Sequence, residues 1–208
     1  VAIGYAALTT EDAHGRNVAI GRSALQNLNA GADGYNVAIG DDAGLAMSTG
    51  TNNTVIGGKA GDALTSGGQN VAIGYQALSS EDANGTAVAV GYRALLTLNA
   101  GAQSYNVAVG YDAGLAMTTG QYNTILGGEA GDSLTTSSFN VAIGYLALAA
   151  EDTRGYNTAV GYNALEHLNA DADANNVAIG FKASTNMSTG KFNTSLGSLS
   201  IGVGVTTG

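Results

Sequence analysis

The chain has 208 residues, among them 32 Gly and no Pro, Cys or Trp, so it has few large side chains for a globular core and no disulfide or thiol chemistry. The regular recurrence of Val and Ile argues against disorder. A formal charge of −9 with seven scattered basic residues argues against binding to nucleic acid or anionic membranes, and no apolar run is long enough for direct membrane insertion.

A five-residue phrase, Asn-Val-Ala-Ile-Gly or a close variant, occurs twelve times along the chain. The steps between phrases are 17, 19, 17 and 17 residues and then repeat, which gives a super-repeat of 70 residues. A fixed short period predicts a repeat architecture. We treat 1–208 as a single repeat domain with super-repeats 1–70, 71–140 and 141–208. Because the sequence starts and stops inside the pattern, we expect it to be a fragment of a longer fibre.

Each phrase predicts a short β-strand. With the Asn counted as position zero, Val or Thr at position one and Ile, Val or Leu at position three alternate with Ala and Gly, which is the period of a strand. Stacked strands lie about 4.8 Å apart. We therefore predict an all-β fold, a parallel β-roll or β-solenoid of about twelve coils of 17 or 19 residues. We expect the aliphatic residues of position three to fill the inside of each coil.

Two columns of like residues are expected to hold the coils together. Stacked Asn side chains form an amide ladder, as in cross-β assemblies. The Gly at position four of every phrase predicts a corner with positive φ or a very close backbone approach. The residues assigned these structural roles include Asn36, Asn53, Asn70, Asn106, Asn123, Asn140, Gly57, Gly74, Gly91, Gly110, Gly127 and Gly144.

The phrase Val-Ala-Ile-Gly-x-x-Ala resembles the head repeats of YadA-like trimeric autotransporter adhesins. The longer form in 119–127, 50–57 and 70–78 is similar to repeats of phage and bacterial tail-fibre proteins. The resemblance covers the whole chain and implies a left-handed parallel β-roll, one per chain, packed three-fold.

The faces of the predicted strand also favour self-association. A strand with Val and Ile on one side and Ala and Gly on the other has no polar face, so both faces favour burial. We expect the Ala and Gly face to pack against other copies in a homotrimer. A lone solenoid is the alternative.

The acidic residues allow two interpretations. The Glu-Asp pairs at 11–12, 81–82 and 151–152 are either calcium ligands or exposed acidic turns that keep the rod soluble, and we favour the second. The same interpretation applies to Asp41, Asp42, Asp62, Asp112, Glu129 and Asp132. His14 and His167 are isolated and expected to be solvated. We expect no metal site, no cofactor and no catalytic residue, since no Ser-His-acid set or phosphate loop recurs.

Aromatic residues recur at two places in the unit. Those directly after the corner Gly are Tyr5, Tyr75, Tyr92, Tyr111, Tyr145, Tyr162 and Phe181, and those directly before the Asn are Tyr35, Tyr105, Tyr122, Phe139, Tyr156 and Phe192. They either stack on sugar rings of a ligand or stack on one another to cover the strand ends, and we favour the second. If the first holds, the candidate binding residues are Tyr75, Tyr92, Tyr111, Tyr145 and Tyr162.

These features predict a non-catalytic structural fibre that attaches to a host or another surface. We expect an extracellular setting, as part of a phage tail fibre on the virion or of a bacterial adhesin head on the cell surface. The expected partners are other copies of the chain and a host-surface glycan or receptor. One alternative is a ligand- or ice-binding β-solenoid, motivated by Thr54, Thr124, Thr158 and Thr194 at position one. Another is a polysaccharide-degrading spike.

Overall fold

The computed structural model describes residues 1–11, 15–81, 83, 85–151, 153–170 and 173–200. Within them, twelve short strands form one parallel sheet in chain order, so each strand pairs with its neighbours in sequence and the chain winds as a β-solenoid. The strands β1 to β12 are Ala2–Ile3, Val18–Ile20, Val37–Ile39, Thr54–Ile56, Val71–Ile73, Val88–Val90, Val107–Val109, Thr124–Leu126, Val141–Ile143, Thr158–Val160, Val177–Ile179 and Thr194–Leu196. The predicted all-β parallel solenoid is confirmed.

The strands pair in the register of the sequence repeat. Ala19 of β2 pairs with Ala38 of β3, and Ala38 pairs with Val55 of β4. The 19-residue coils keep this register, because β2 and β3 lie across one of them and still match phrase to phrase. The two extra residues are therefore absorbed in the connection, and like positions form continuous columns.

The faces of the strands are the reverse of those predicted. Position two points into the coil, with Ala19 and Ala72 fully buried, whereas Ile20 and Ile73 at position three are only half-buried. The prediction that the aliphatic column fills the inside is wrong. The reason is space: in the coil of Ala19, Leu25 at position eight and Leu28 at position eleven already fill the interior, which leaves room for little more than a methyl group opposite them.

Larger residues at position two are accommodated by smaller ones across the coil. Val55 and Ile125 replace the usual Ala, and in the same coils Gly61 and Gly131 replace the Leu of position eight. A Cβ added to Gly61 would lie 3.4 Å from Cγ1 of Val55, and one added to Gly131 would lie 3.4 Å from Cδ1 of Ile125. In these two coils the Gly leaves room for the larger residue of position two.

The Asn side chains form a buried ladder along the solenoid. Asn17 Oδ1 accepts the backbone N–H of Asn36 at 2.9 Å, and Asn36 Oδ1 accepts that of Asn53 at 2.9 Å. The side-chain amide of Asn36 donates to Asn17 Oδ1 at 3.2 Å and to the carbonyl of Gly50 at 2.8 Å. Each Asn thus joins two coils and satisfies backbone groups where the chain turns into the strand.

The corner glycines have positive φ and a very close neighbour. At all twelve, φ lies between +114° and +145°. A Cβ on Gly74 would lie 2.2 Å from the carbonyl oxygen of Gly91. The close approach is made by the following coil of the same chain, because consecutive corners stack directly. The residue before each Asn is also left-handed, with φ from +51° to +67°, although none of these residues is Gly.

Candidate functional site

Positions one and three of the strands form an apolar stripe on the outside of the solenoid, which we call the outer stripe. Its residues are half-buried or exposed in the single chain, and Ile39, Leu126 and Ile179 expose 36%, 46% and 38% of their surface. The small Ala residues that were expected to contact another chain are instead inside the coil. The surface available for a partner is therefore the β-branched one.

The post-Gly column consists of the aromatic residues directly after the corner Gly, and its rings stack on one another. The ring centroids of Tyr75 and Tyr92 are 5.7 Å apart, and those of Tyr92 and Tyr111 are 5.3 Å apart. Tyr145 and Tyr162 stack at 5.6 Å and lead on to Phe181. Because neighbours cover most ring faces, mainly ring edges remain exposed. A role of these tyrosines in ligand binding stays a prediction.

The pre-Asn column, formed by the residues directly before each Asn, contains a second ladder. Tyr105, Tyr122, Phe139 and Tyr156 stack at 5.3, 5.0 and 5.0 Å with their planes within 13° of parallel. Tyr35 stands apart from this ladder and lies under the guanidinium of Arg16, 5.3 Å from the ring centroid. The two aromatic columns lie on either side of the outer stripe in the chain, since one precedes and one follows each strand.

The glutamates of the Glu-Asp pairs are placed differently from the prediction. Glu81 and Glu151 are buried, so the expectation of an exposed acidic turn is wrong for both. Their carboxylates lie near the backbone N–H of Ala100 and Ala170 in the following 19-residue coil, each at 3.4 Å. Their partners in the pairs, Asp12, Asp82 and Asp152, lie outside the described residues.

The position of these glutamates in the repeat indicates their burial, although their pairing with Asp in the sequence does not. Glu81 and Glu151 occupy position eleven, the interior column that holds Leu64, Leu98 and Met117 in other coils. In both cases the next coil is one of the 19-residue type. A carboxylate in this column can accept N–H groups of the longer connection, which an aliphatic side chain cannot do.

Some of the remaining carboxylates form charge pairs between coils. Arg93 Nε donates to Asp112 Oδ1 at 2.9 Å, and Asp112 is buried rather than solvated as predicted. Arg22 contacts both Asp41 and Asp42, at 2.7 and 3.0 Å. The hydrogen bonds with these aspartates raise the pKa of both arginines, Arg22 through Asp41 and Arg93 through Asp112. These pairs link consecutive coils at their surface.

Two equivalent aspartates differ in their hydrogen bonding. Asp62 accepts a hydrogen bond from the hydroxyl of Ser79 at 2.6 Å. One super-repeat later, Asp132 has Ala149 at the place of that Ser, and burial raises the pKa of its carboxyl above the usual range. Beyond it, the negative charge of Glu129 raises the pKa of the Tyr145 hydroxyl.

The described residues hold no group of three or more His, Asp or Glu side chains suited to a metal ion. His167 is exposed, and His14 lies outside the described residues. No helix among the described residues could span a bilayer. No residue constellation of a recognisable enzyme emerges from the described side chains, and the absence of an enzyme activity stays a prediction.

No protein-family model, no curated protein and no solved structure matches the chain.

Proposed function

We propose that this chain is a non-catalytic structural segment of a fibre that attaches to a host or another surface, assembled as a homotrimer through the outer stripe. The proposal places the fibre outside the cell, on a phage tail or a bacterial surface. The observation that carries it is the continuous apolar face of twelve stacked strands in a chain whose interior is already closed.

The size of this face supports association. Three residues per strand give a width of about 10 Å, and eleven steps of about 4.8 Å give a length of about 53 Å, so the strands alone present roughly 500 Å². That is near the upper limit of apolar patches on monomeric proteins, about 300–600 Å². The flanking aromatic columns enlarge it toward the roughly 800 Å² that each partner buries in a stable interface.

The chemistry of the face supports other copies of this chain as the occupant. The described residues of the outer stripe are Val, Ile, Leu and Thr, with no charged side chain. A second copy, which also carries a net charge of −9, can approach the outer stripe because the charged side chains of both copies lie outside the stripe. Repetition of one strand along the rod also lets identical chains match coil by coil, which a closed symmetric assembly requires.

The rod geometry supports a fibre role. Each coil is held to the next by parallel pairing, the Asn ladder and stacked corners, so stiffness is built in along the whole axis. Stability in such a solenoid grows with the number of coils in contact. A rod of this type separates a binding tip from its anchor and can itself present repeated surface sites.

Sedimentation velocity tests the assembly. We expect a trimer at micromolar concentration and a folded monomer for the double variant Leu126→Glu with Ile179→Glu, because both side chains are exposed in the single chain and cost little there. The double variant Thr49→Glu with Thr119→Glu is the matched control: it adds the same two charges at exposed positions outside the stripe and should leave the trimer intact. A monomeric wild-type chain, or a trimeric double variant, would contradict the proposal.

A further inference from the structure

Both aromatic columns place tyrosines in consecutive coils, so that like phenol rings contact one another. In the post-Gly column the rings of Tyr92 and Tyr111 lie within 6° of parallel, with their centroids 5.3 Å apart. Each such contact joins two successive coils of the chain. The neighbouring tyrosine pairs among the described residues are Tyr75 with Tyr92, Tyr92 with Tyr111, Tyr105 with Tyr122, and Tyr145 with Tyr162.

The backbone holds the two members of each pair together. Tyr75 and Tyr92 occupy the same position of two stacked coils, and the N–H of Arg93 donates to the carbonyl of Tyr75 at 2.9 Å. The N–H of Asp112 donates in the same way to the carbonyl of Tyr92, also at 2.9 Å. The two rings of a pair therefore start from backbones about 4.8 Å apart. Fixed proximity of this kind greatly favours a reaction between two groups over the same reaction in solution.

The rings remain accessible at their edges. Tyr92 has a ring on each face and still exposes 42% of its surface, and Tyr122 likewise exposes 47%. What remains exposed on a ring covered on both faces is mainly its edge, which carries the hydroxyl and the two carbons ortho to it. An oxidant in solution can therefore reach the reactive part of the phenol.

We propose that the stacked tyrosine pairs are sites of oxidative cross-linking, at which a one-electron oxidant, such as a haem peroxidase with hydrogen peroxide, joins consecutive coils through dityrosine. Each phenol gives up one electron and one proton, and hydrogen peroxide takes up both electrons and both protons and is reduced to water. The two phenoxyl radicals form a carbon–carbon bond between the ring carbons ortho to their oxygens. The hydrogen on each of these carbons then returns to the oxygen of its own ring as a proton, which restores two phenols.

The bond requires the two rings to tilt towards each other, because parallel rings keep their ortho carbons about one coil spacing apart. The columns accommodate such tilts: the interplanar angle is 6° for Tyr92 with Tyr111 and 24° for Tyr145 with Tyr162. Exposed side chains also change rotamer within picoseconds to nanoseconds. A radical pair can therefore reach the coupling geometry without movement of the backbone.

Each cross-link would close a covalent loop of one coil, because the paired tyrosines are 17 or 19 residues apart. Such a loop restricts the unfolded chain as a disulfide does, in a protein that has no Cys. In a solenoid each coil contacts only its neighbours, so a bond between neighbours opposes local opening directly. The inference goes beyond the proposed fibre role and applies to a monomer as well as to a trimer.

Other tyrosines of the same chain are as exposed but have no tyrosine next to them in their column. Tyr5 exposes 82% of its surface, and the next place in its column holds Arg22. Tyr156 exposes 48% and stacks on Phe139, which has no hydroxyl and forms no phenoxyl radical. If exposure alone decided the reaction, these residues would couple first. If stacking decides it, they should not couple within the chain.

The test is oxidation of the intact protein with a haem peroxidase and limiting hydrogen peroxide, followed by dityrosine fluorescence. Denaturing electrophoresis separates links within one chain from links between chains, because only the latter double the mass. Mass spectrometry of peptides from the single-chain band then identifies the joined residues. We expect links at the stacked tyrosine pairs and none that involve Tyr5, Tyr35 or Tyr156.

Three variants distinguish stacking from exposure. Tyr92→Phe keeps a ring in the stack and should abolish the links to Tyr75 and Tyr111. Phe139→Tyr adds a hydroxyl to a ring stacked at 5.0 Å on both sides and should create new links to Tyr122 and Tyr156. Tyr5→Phe is the control: it removes the most exposed tyrosine and should leave the links unchanged.

Absence of dityrosine from the single-chain band would overturn the inference, as would dityrosine that mainly joins different chains. Links within the chain that involve Tyr5 or Tyr156 as often as the stacked pairs would show that exposure decides, and would overturn it too. A folded Phe139→Tyr variant without new links has the same consequence. Should that variant fail to fold, retention of the Tyr75 and Tyr111 links in Tyr92→Phe would refute the assignment, and their loss would support it.

Discussion

Restoring the one missing rung of the Asn ladder should stabilise the protein. Ala87 stands where the equivalent coils of the other super-repeats have Asn17 and Asn157. Those side chains accept the backbone N–H of Asn36 at 2.9 Å and of Asn176 at 3.2 Å. The buried residue in the corresponding place, Asn106, has no such side-chain acceptor, because Ala87 offers only a methyl group. The substitution Ala87→Asn supplies it within a backbone that already accepts Asn twice.

The magnitude follows from the hydrogen bond gained. A buried donor left without a partner costs about 1–3 kcal/mol. Ordering the Asn side chain costs roughly 1 kcal/mol of conformational entropy, which offsets part of the gain from satisfying the donor. About 0–2 kcal/mol remains, and we expect the free energy of unfolding to rise by about 1 kcal/mol, the middle of that range. The reverse change, Asn53→Ala, leaves the N–H of Asn70 and the carbonyl of Gly67 without their partners and should cost about 2–6 kcal/mol.

Amide hydrogen exchange is the most direct assay, because a solenoid unfolds in parts and one global transition is not assured. Protection of the Asn106 N–H should increase about tenfold for each 1.4 kcal/mol gained. Ala102→Asn adds the same side chain at an exposed position and should change nothing there. If Ala87→Asn folds and the exchange of Asn106 is unaltered, the reasoning about the ladder is refuted.

Two further predictions concern single coils. Gly74→Ala should lower the free energy of unfolding in guanidinium by about 3 kcal/mol or more, since its Cβ would lie 2.2 Å from the carbonyl oxygen of Gly91. Gly31→Ala is the control: its Cβ would have no atom within 4 Å, so the loss should be about 1 kcal/mol. Equal losses for the two variants would contradict the stacked corner. Ala149→Ser should give Asp132 a hydroxyl donor and so lower the pKa of the Asp132 carboxyl. At pH values above that pKa, the free energy of unfolding should rise by about 1 kcal/mol. Because the gain belongs to the carboxylate, it should vanish as pH falls through the Asp132 pKa, and a gain independent of pH would contradict this assignment.

The period of the sequence was sufficient to predict the parallel solenoid and its register. Chain order, pairing of like positions and the corner at position four all follow from equal spacing of one phrase, because a stacked coil has to place identical residues above one another. The Asn ladder could be predicted for the same reason. What it did not reveal is that the ladder also uses the backbone N–H of the next Asn, which depends on the left-handed residue in front of it.

The orientation of the strand could not be read from alternation alone. Val and Ile on one face of Val18–Ile20 and Ala on the other fit either assignment, since neither face is polar. The deciding residues lie elsewhere in the coil: Leu25 and Leu28 fill the interior, so Ala19 must face them. A prediction that first summed the volumes of all inward candidates would have placed Ile20 outside.

The columns that face inward and those that face outward obey different constraints. At an inward position the space is limited, and Ile125 lies in a coil with Gly131, whose added Cβ would lie 3.4 Å from Cδ1 of Ile125. At the pre-Asn column, by contrast, Gln69 and Phe139 occupy one backbone conformation without a compensating change in φ, because the side chain points away from the packed interior. Folding therefore does not decide between an amide and a ring at this place.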